Sequence, residues 1–248
     1  PGAPAPAPAS AHAHSHNDYL RGRPLLDALE QGFGSVEADI HLVDGELLVA
    51  HDRREVKAGR TLEALYLRPL AGRIREKGGV VQPGLATFHL LIDLKTEAVA
   101  TYAALRPVLE GHAASLTRFS DRGIQTGAIT VVLSGNRPTA VVAAEPVRLC
   151  GIDGRLADLT NGPAATLMPL VSESWGTAFA WNGQGGMPAG EQARLRDLVA
   201  RARAQGRRIR FWGAADRREM WAAQRAAGVD LINTDRLGAL REFLGEGR

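Results

Sequence analysis

The chain has 248 residues, 45% hydrophobic and 23% charged, the balance of a folded domain and not of a disordered one. Its 30 Lys and Arg against 27 Asp and Glu leave a net charge of +3, too slight a tilt for a dedicated nucleic-acid surface. The one cysteine, Cys150, excludes an internal disulfide and a cysteine-based zinc site, and no apolar run reaches the roughly 18 residues of a membrane span.

Residues 1–10 alternate Pro and Ala, a pattern that forms neither a helix nor a central strand and reads as an extended leader or linker. Such a leader without an initiator Met sets the expectation of a processed, secreted protein. Residues 11–248 carry no internal repeat and read as a single domain. Apolar stretches predict strands near 11–16, 35–42, 88–94, 129–133, 147–151, 167–172, 208–212 and 229–233. Helical patterns fall between and after them, near 24–32, 61–76, 97–110, 137–144, 155–160, 189–205, 215–227 and 235–244. In the longest, Leu195, Leu198 and Val199 form a stripe at helical spacing, which is core. Strands alternating with helices over this length predict an α/β fold, a closed (β/α)8 TIM barrel, with a small β-hairpin after strand 2. No Gly-rich fingerprint opens the first βα turn, which argues against a dinucleotide fold.

A barrel builds its active site from the C-terminal ends of its strands, and residues at i and i+2 of a strand share a face. Three polar pairs stand at such ends: His14 and His16, Glu37 and Asp39, Asp93 and Lys95. Three acids converging in one mouth repel unless a cation sits among them, and oxygen-only ligands suit a hard ion, Mg²⁺ or Ca²⁺. Lys95 adds positive charge suited to a phosphate. After Asp39, the run from Ile40 to Asp52 is a hairpin signal around Asp44-Gly45. A two-residue turn sets His51 opposite Ala38, on the wrong face. A three-residue loop of Val43, Asp44 and Gly45 with a bulge pairs 37 with 51, and the expectation is this bulged form, with His51 beside Glu37. The Arg-rich run from Arg194 to Arg210 reads as a solvated helix face and its C-terminal end. His41, His89 and His112 receive no role.

Taken together, His-x-His-Asn-Asp-Tyr (14–19), Gly-x-x-Ser-Val-Glu-Ala-Asp (32–39), Asp-Gly-x-Leu-x-Val-x-His-Asp (44–52), the Asp93-Leu94-Lys95 strand and the terminal Leu231–Asp235 resemble the glycerophosphodiester phosphodiesterase and PI-phospholipase-C-like superfamily. Closest in motif are the bacterial and fungal branch with His-Ser-His-Asn-Asp-Tyr and the branch similar to spider-venom phospholipase D toxins. The resemblance implies a metal held by Glu37, Asp39 and Asp93, and two histidines as general acid and base. One is His51. The other comes from the first strand, where a toxin-like His-x-x-Asn spacing maps onto His14 and Asn17, with His16 as the neighbour with which it could swap. The resemblance further assigns Lys95 to phosphate contact, Trp212 to the pocket wall and Asn233 to the eighth strand's contribution. His-Arg-Gly and Glu-Asn-Thr of ordinary members are absent, Asp93 stands where they usually have Glu, and the toxins' disulfides are missing.

The expected function is a metal-dependent phosphodiesterase, a secreted phospholipase D-type enzyme cleaving lysophospholipids or glycerophosphodiesters. Phospholipase C-type cleavage on the same barrel and a non-catalytic phosphate-binding barrel are the alternatives. A cyclic phosphate and a hydrolysed product both remain open. Trp175, Trp181 and Trp212, near strand ends or following loops, are expected to accept a lipid head group with at most peripheral membrane contact, and the chain is expected to be a monomer.

Overall fold

A computed structural model describes residues 9–246. Eight parallel strands close into a barrel: β1 (Ser10–Ser15), β2 (Phe33–Val43), β4 (Phe88–Leu94), β7 (Ile129–Gly135), β9 (Gly151–Gly154), β10 (Leu170–Ser174), β11 (Arg208–Trp212) and β12 (Leu231–Thr234), with β1 pairing both β12 and β2. Antiparallel β3 (Glu46–Val49) extends β2, and a side sheet joins β5 (Arg118–Ser120), β6 (Gly123–Gln125) and β8 (Val147–Arg148). The outer helices are α1 (Leu26–Glu30), α2 (Arg68–Glu76), α3 (Ala98–Gly111), α4 (Thr139–Ala143), α5 (Asp158–Asn161), α6 (Trp175–Ala178), α7 (Ala189–Ala204), α8 (Arg218–Ala227) and α9 (Leu237–Gly245).

Local chemistry sets several of these elements. The Glu97 carboxylate accepts from Val99 N and Ala100 N at 3.0 and 2.7 Å and so caps α3, satisfying donors that a helix start leaves open. In α7, Leu195, Leu198, Val199 and Ala202 are buried, as their spacing predicts. The expected leader at 1–8 lies outside the described residues; Ser10, counted with it, already starts β1. The fifth strand is displaced. Residues 147–148 pair antiparallel with β5 in the side sheet, and the barrel strand is the short Gly151-Ile152-Asp153-Gly154, too brief and glycine-rich for an apolar pattern to mark.

The hairpin differs from the expected bulged form. Asp44 and Gly45 have φ of 50° and 83°, so both centre residues of the turn are left-handed. That two-residue geometry matches the twist of the flanking strands. Val43 therefore pairs with Glu46 and Ile40 with Val49, one step out of the register that would face Glu37 with His51.

Inside the barrel, side chains stack in layers, as in-register parallel strands require. Ser35, His89 and Thr130 align near the strand starts, and Asp39, Asp93 and Ser134 near their ends. Between them Leu91, Val132, Leu170 and Leu231 form a separate buried apolar cluster, a plug across the barrel axis. The larger core lies between barrel and helices, around Val36, Ile40, Leu90, Ile92, Val131 and Leu133. An aromatic group packs the α6–β11 sector: Trp175 lies 4.5 Å from Phe179 and 5.6 Å from Phe211 between ring centroids. Trp175 and Trp181 are thus core residues and offer no face to a head group, contrary to the sequence expectation. Truncating the plug by Leu91→Ala leaves a void the surrounding strands cannot close, and the expected loss is about 2–5 kcal/mol of unfolding free energy. Urea denaturation followed by tryptophan fluorescence reads it, and an unchanged midpoint would mean the plug carries no stability.

Candidate active site

The strand ends deliver the acids together. Glu37 and Asp39 share the inward face of β2, Asp93 sits beside Asp39 in register, and one oxygen from each lies within 4.8 Å of the others. Lys95 follows β4 and closes over the pair, with Nζ 3.0 Å from Asp39 Oδ2 and 3.1 Å from Asp93 Oδ1. The Tyr19 hydroxyl donates to Asp39 Oδ2 at 2.7 Å, and Asn17 Oδ1 lies 3.0 Å from the same hydroxyl. Arg210 enters from β11, only 3% exposed, and its Nη2 donates to Glu37 Oε2 at 3.2 Å. Gly135 lets the next strand approach: a Cβ there would stand 2.2 Å from Asp93 Oδ1, and its φ of 67° favours glycine.

The charges are unequal in consequence. Burial raises the Glu37 carboxyl, but Arg210, His14 and His16 outweigh it and hold it well below the usual carboxylate range. Asp39 lacks such a strong partner; burial and the Glu37 charge push it up to about 6 against the pull of Lys95. Burial likewise raises Asp93. Lys95 stays firmly protonated because Asp39 and Asp93 override its own desolvation.

Asp39 Oδ1 is buried and has no hydrogen-bond partner among the described residues. An orphaned carboxylate oxygen inside a cluster of three acids is costly unless a cation takes it. The donor set, all carboxylate oxygen, fits a hard divalent ion.

The two first-strand histidines differ sharply. His14 is fully buried in the barrel, with Nδ1 2.6 Å from Ser35 Oγ and Nε2 3.6 Å from Glu37 Oε2. Burial, with Arg210 nearby, lowers it to about 4, so it is neutral near pH 7. His16 stands at the mouth and is partly exposed, its Nδ1 3.1 Å from Asp235 Oδ1 and its Nε2 3.9 Å from Glu37 Oε2. Arg21 braces Asp235 from behind at 3.1 Å. Asp18, the neighbour of Asn17, is buried and accepts from Leu25 N, Ser15 Oγ and the Tyr66 hydroxyl at 2.5, 2.8 and 3.0 Å, which fixes the loop carrying these groups.

His51 is not beside Glu37. With the tight turn, Ala50 N donates to Asp39 O at 3.2 Å and the chain then leaves the sheet. The His51 side chain is 53% exposed at the rim, with Nδ1 3.8 Å from Asp52 Oδ2. Trp212 ends β11 half-buried at the mouth, the Arg155 guanidinium 5.0 Å above its ring. Asn233 is buried at the end of β12, and its Oδ1 has no partner among the described residues.

Sequence reasoning missed several groups. Arg210 was placed with a solvated helix end, yet it is a barrel residue two before Trp212, and that strand parity was the available signal. Asp153, buried and bonded by Ser172 Oγ at 2.6 Å, Ser134 Oγ at 2.9 Å and Arg155 Nη1 at 3.1 Å, fell outside the expected fifth strand. Tyr19 and Asp235 lay within quoted motifs without a role.

Residues 8–82, which carry the histidine pair, Glu37, Asp39 and the hairpin, match the AIM6-like phosphodiesterase domain. The fold is similar to a glycerophosphodiester phosphodiesterase from Parabacteroides distasonis, with a TM-score of 0.56 at 14% identity over 96% of this chain and 98% of that one. A second such enzyme, from Agrobacterium tumefaciens, gives 0.52 at 17% identity over 94% and 99%. In sequence the chain is 27% identical to altered inheritance of mitochondria protein 6 of Lachancea thermotolerans, over 89% of its own length, and spans 62% of that protein. It is 30% identical to the Eremothecium gossypii protein of the same name, over 92% of its own length and 68% of the relative. The chain belongs to the family of altered inheritance of mitochondria protein 6.

Proposed function

We propose that the chain is a divalent-metal-dependent phosphodiesterase acting on small glycerophosphodiesters or lysophospholipids, with phospholipase D-type cleavage on the headgroup side. The observation that supports it most is the orphaned Asp39 Oδ1 inside the Glu37, Asp39 and Asp93 cluster, under Lys95 and beside a carboxylate-held His16. Glu37, Asp39 and Asp93 would hold the ion, whose chemistry when bound is Lewis-acid stabilisation of a non-bridging phosphate oxygen. Mg²⁺ and Ca²⁺ both suit the oxygen set.

The protein's own groups supply the rest. Lys95 meets a phosphate oxygen with a fixed positive charge while its Asp39 and Asp93 contacts keep it aimed. His16 accepts the proton of the attacking hydroxyl at Nε2, its Nδ1–H directed to Asp235, an arrangement that fixes tautomer and ring plane. As the bond to the leaving oxygen breaks, that oxygen needs a proton, and His51 at the rim is the imidazole able to deliver it. His14, buried and neutral, positions Glu37 and touches no substrate. Trp212 and Asn233 line the mouth for the headgroup.

Three outcomes follow from these assignments. Excess EDTA abolishes turnover on a glycerophosphodiester panel and added Mg²⁺ or Ca²⁺ restores it; full turnover in EDTA would remove the metal from the reading. His16→Ala lowers kcat by about 10²–10⁴ with folding intact by circular dichroism, the usual range for a general base, and a loss under tenfold would displace His16 from that role. Because the ion competes with the proton on Asp39, whose carboxyl sits at about 6, apparent metal affinity falls as pH drops through that value. Calorimetric titration between pH 5 and pH 8 reads this; an affinity independent of pH would place the ion away from Asp39.

A further inference from the structure

Trp212 stands half-buried at the mouth where β11 ends, and a face of its ring is already taken. The Arg155 guanidinium lies over it, 5.0 Å from the ring centroid. Arg155 is anchored there. Its Nη1 donates to Asp153 Oδ2 at 3.1 Å and to Gly154 O at 2.9 Å, and Asp153 is fixed in turn by Ser172 Oγ and Ser134 Oγ. The pair is layered: the Asp153 side chain is 1% exposed and that of Arg155 30%, so the mouth meets the cation and not the carboxylate. Arg137, whose Nη1 donates to Asp153 O, adds a second guanidinium to this sector; burial and then the Arg155 charge lower it.

An aromatic face is where a quaternary ammonium is ordinarily held, and here a fixed cation occupies it. A second cation brought to the same ring meets like charge. Beside the ring stands an acceptor without a donor. Arg210 pairs with Leu231 and Phe211 with Ile232, and one step further this register sets Asn233 next to Trp212. Asn233 is buried, and its Oδ1 has no hydrogen-bond partner among the described residues. A buried amide oxygen left unbonded is costly, so it calls for an N–H or O–H from a ligand. The N–H donor of a phosphodiester headgroup is a protonated amine, which the Arg155 charge opposes. The donor that brings no charge is a hydroxyl.

We propose that the mouth selects a phosphodiester whose headgroup is an uncharged polyol, with one hydroxyl donating to Asn233 Oδ1 and its carbon body against Trp212, and that it disfavours quaternary and primary ammonium headgroups. The assignment rests on the phosphodiesterase reading and names the substrate class of that same site. Arg155 and Asn233 are its specificity-determining residues, one by opposing positive charge and the other by rewarding a hydroxyl.

Three lauroyl lysophospholipids test it, with glycerol, choline or 3,3-dimethylbutanol as the headgroup. The acyl chain fixes which side of the phosphate is the headgroup, and dimethylbutyl matches choline in shape without its charge. With Mg²⁺ or Ca²⁺ present, kcat/KM is expected to fall about tenfold from glycerol to dimethylbutyl, the share of one hydrogen bond, and about tenfold again to choline, the share of the charge. Arg155→Gln is expected to bring choline within about twofold of dimethylbutyl, and Asn233→Ala to bring glycerol within about twofold of it. Calorimetric binding of the same three to the His16→Ala chain reads the order without turnover. Binding in that order with no turnover by the wild-type chain supports the subsite and counts against cleavage alone. If Arg155→Gln does not fold, Asn233→Ala and the wild-type order carry the test. Choline equal to dimethylbutyl, glycerol no better than dimethylbutyl, ratios unmoved in the folded variants, or no binding of any of the three overturns the proposal.

Discussion

Mutual repulsion among Glu37, Asp39 and Asp93 is the problem the rest of the barrel interior is arranged around. Two charges 4.8 Å apart repel by about 3 kcal/mol at the effective dielectric of a protein interior, and here three stand that close. Arg210 takes Glu37 from one side and Lys95 takes both Asp39 and Asp93 from another, so two cations serve three acids. The division leaves Asp39 and Asp93 sharing one cation; both carboxyls rise, and of the two it is Asp39 whose second oxygen is orphaned. The place most in want of a cation is therefore determined by how the fixed cations are distributed, not by the acids alone. Removing one partner of such a buried pair typically costs about 3–5 kcal/mol, which makes Arg210 as necessary to the cluster as the acids are.

Layering keeps that charge separate from the rest of the barrel. The polar mouth, the four-residue plug and a chamber below it alternate along the axis, and the in-register strands fix which residue enters which layer. One polar thread crosses the levels. Ser35, which lines the lower chamber, bonds His14, and His14 faces Glu37. The aromatic group of Trp175, Phe179 and Phe211 does no site work; it packs the sector where short β9 and β10 provide little apolar area.

The barrel was legible because most of its strands are apolar runs of ordinary length followed by Ala-, Leu- and Arg-rich helices. The exception, Gly151–Gly154, shows why: a strand of four residues with two glycines and a buried Asp153 presents no periodicity, so Asp153 and its serine partners stayed hidden. The three acids and Lys95 were found by parity at strand ends, and the structure gathers them. Arg210 obeyed the same parity but was absorbed into an arginine-rich stretch. The His-x-x-Asn spacing points to His14 with His16 as its neighbour, but His14 is fully buried and His16 stands just past the strand at the mouth; burial is a tertiary property that spacing does not show. The bulged loop was expected because it alone sets His51 beside Glu37, and the left-handed pair Asp44-Gly45 closes the shorter turn instead.

That turn has a wider meaning. In a strand, facing is binary, and each residue gained or lost in a hairpin inverts the facing of everything after it. With Asp44 and Gly45 alone at the tip, the returning strand sets Leu47 and Val49 on the helix-facing side with Leu42 and Ile40, and the imidazole beyond them is exposed to water. A relative with one more residue at the tip would carry the same letters afterwards, yet aim them oppositely. Chain length at a surface bend thus acts as a toggle on which side of the sheet a residue such as His51 meets, and two members of the family can share a motif without sharing its geometry.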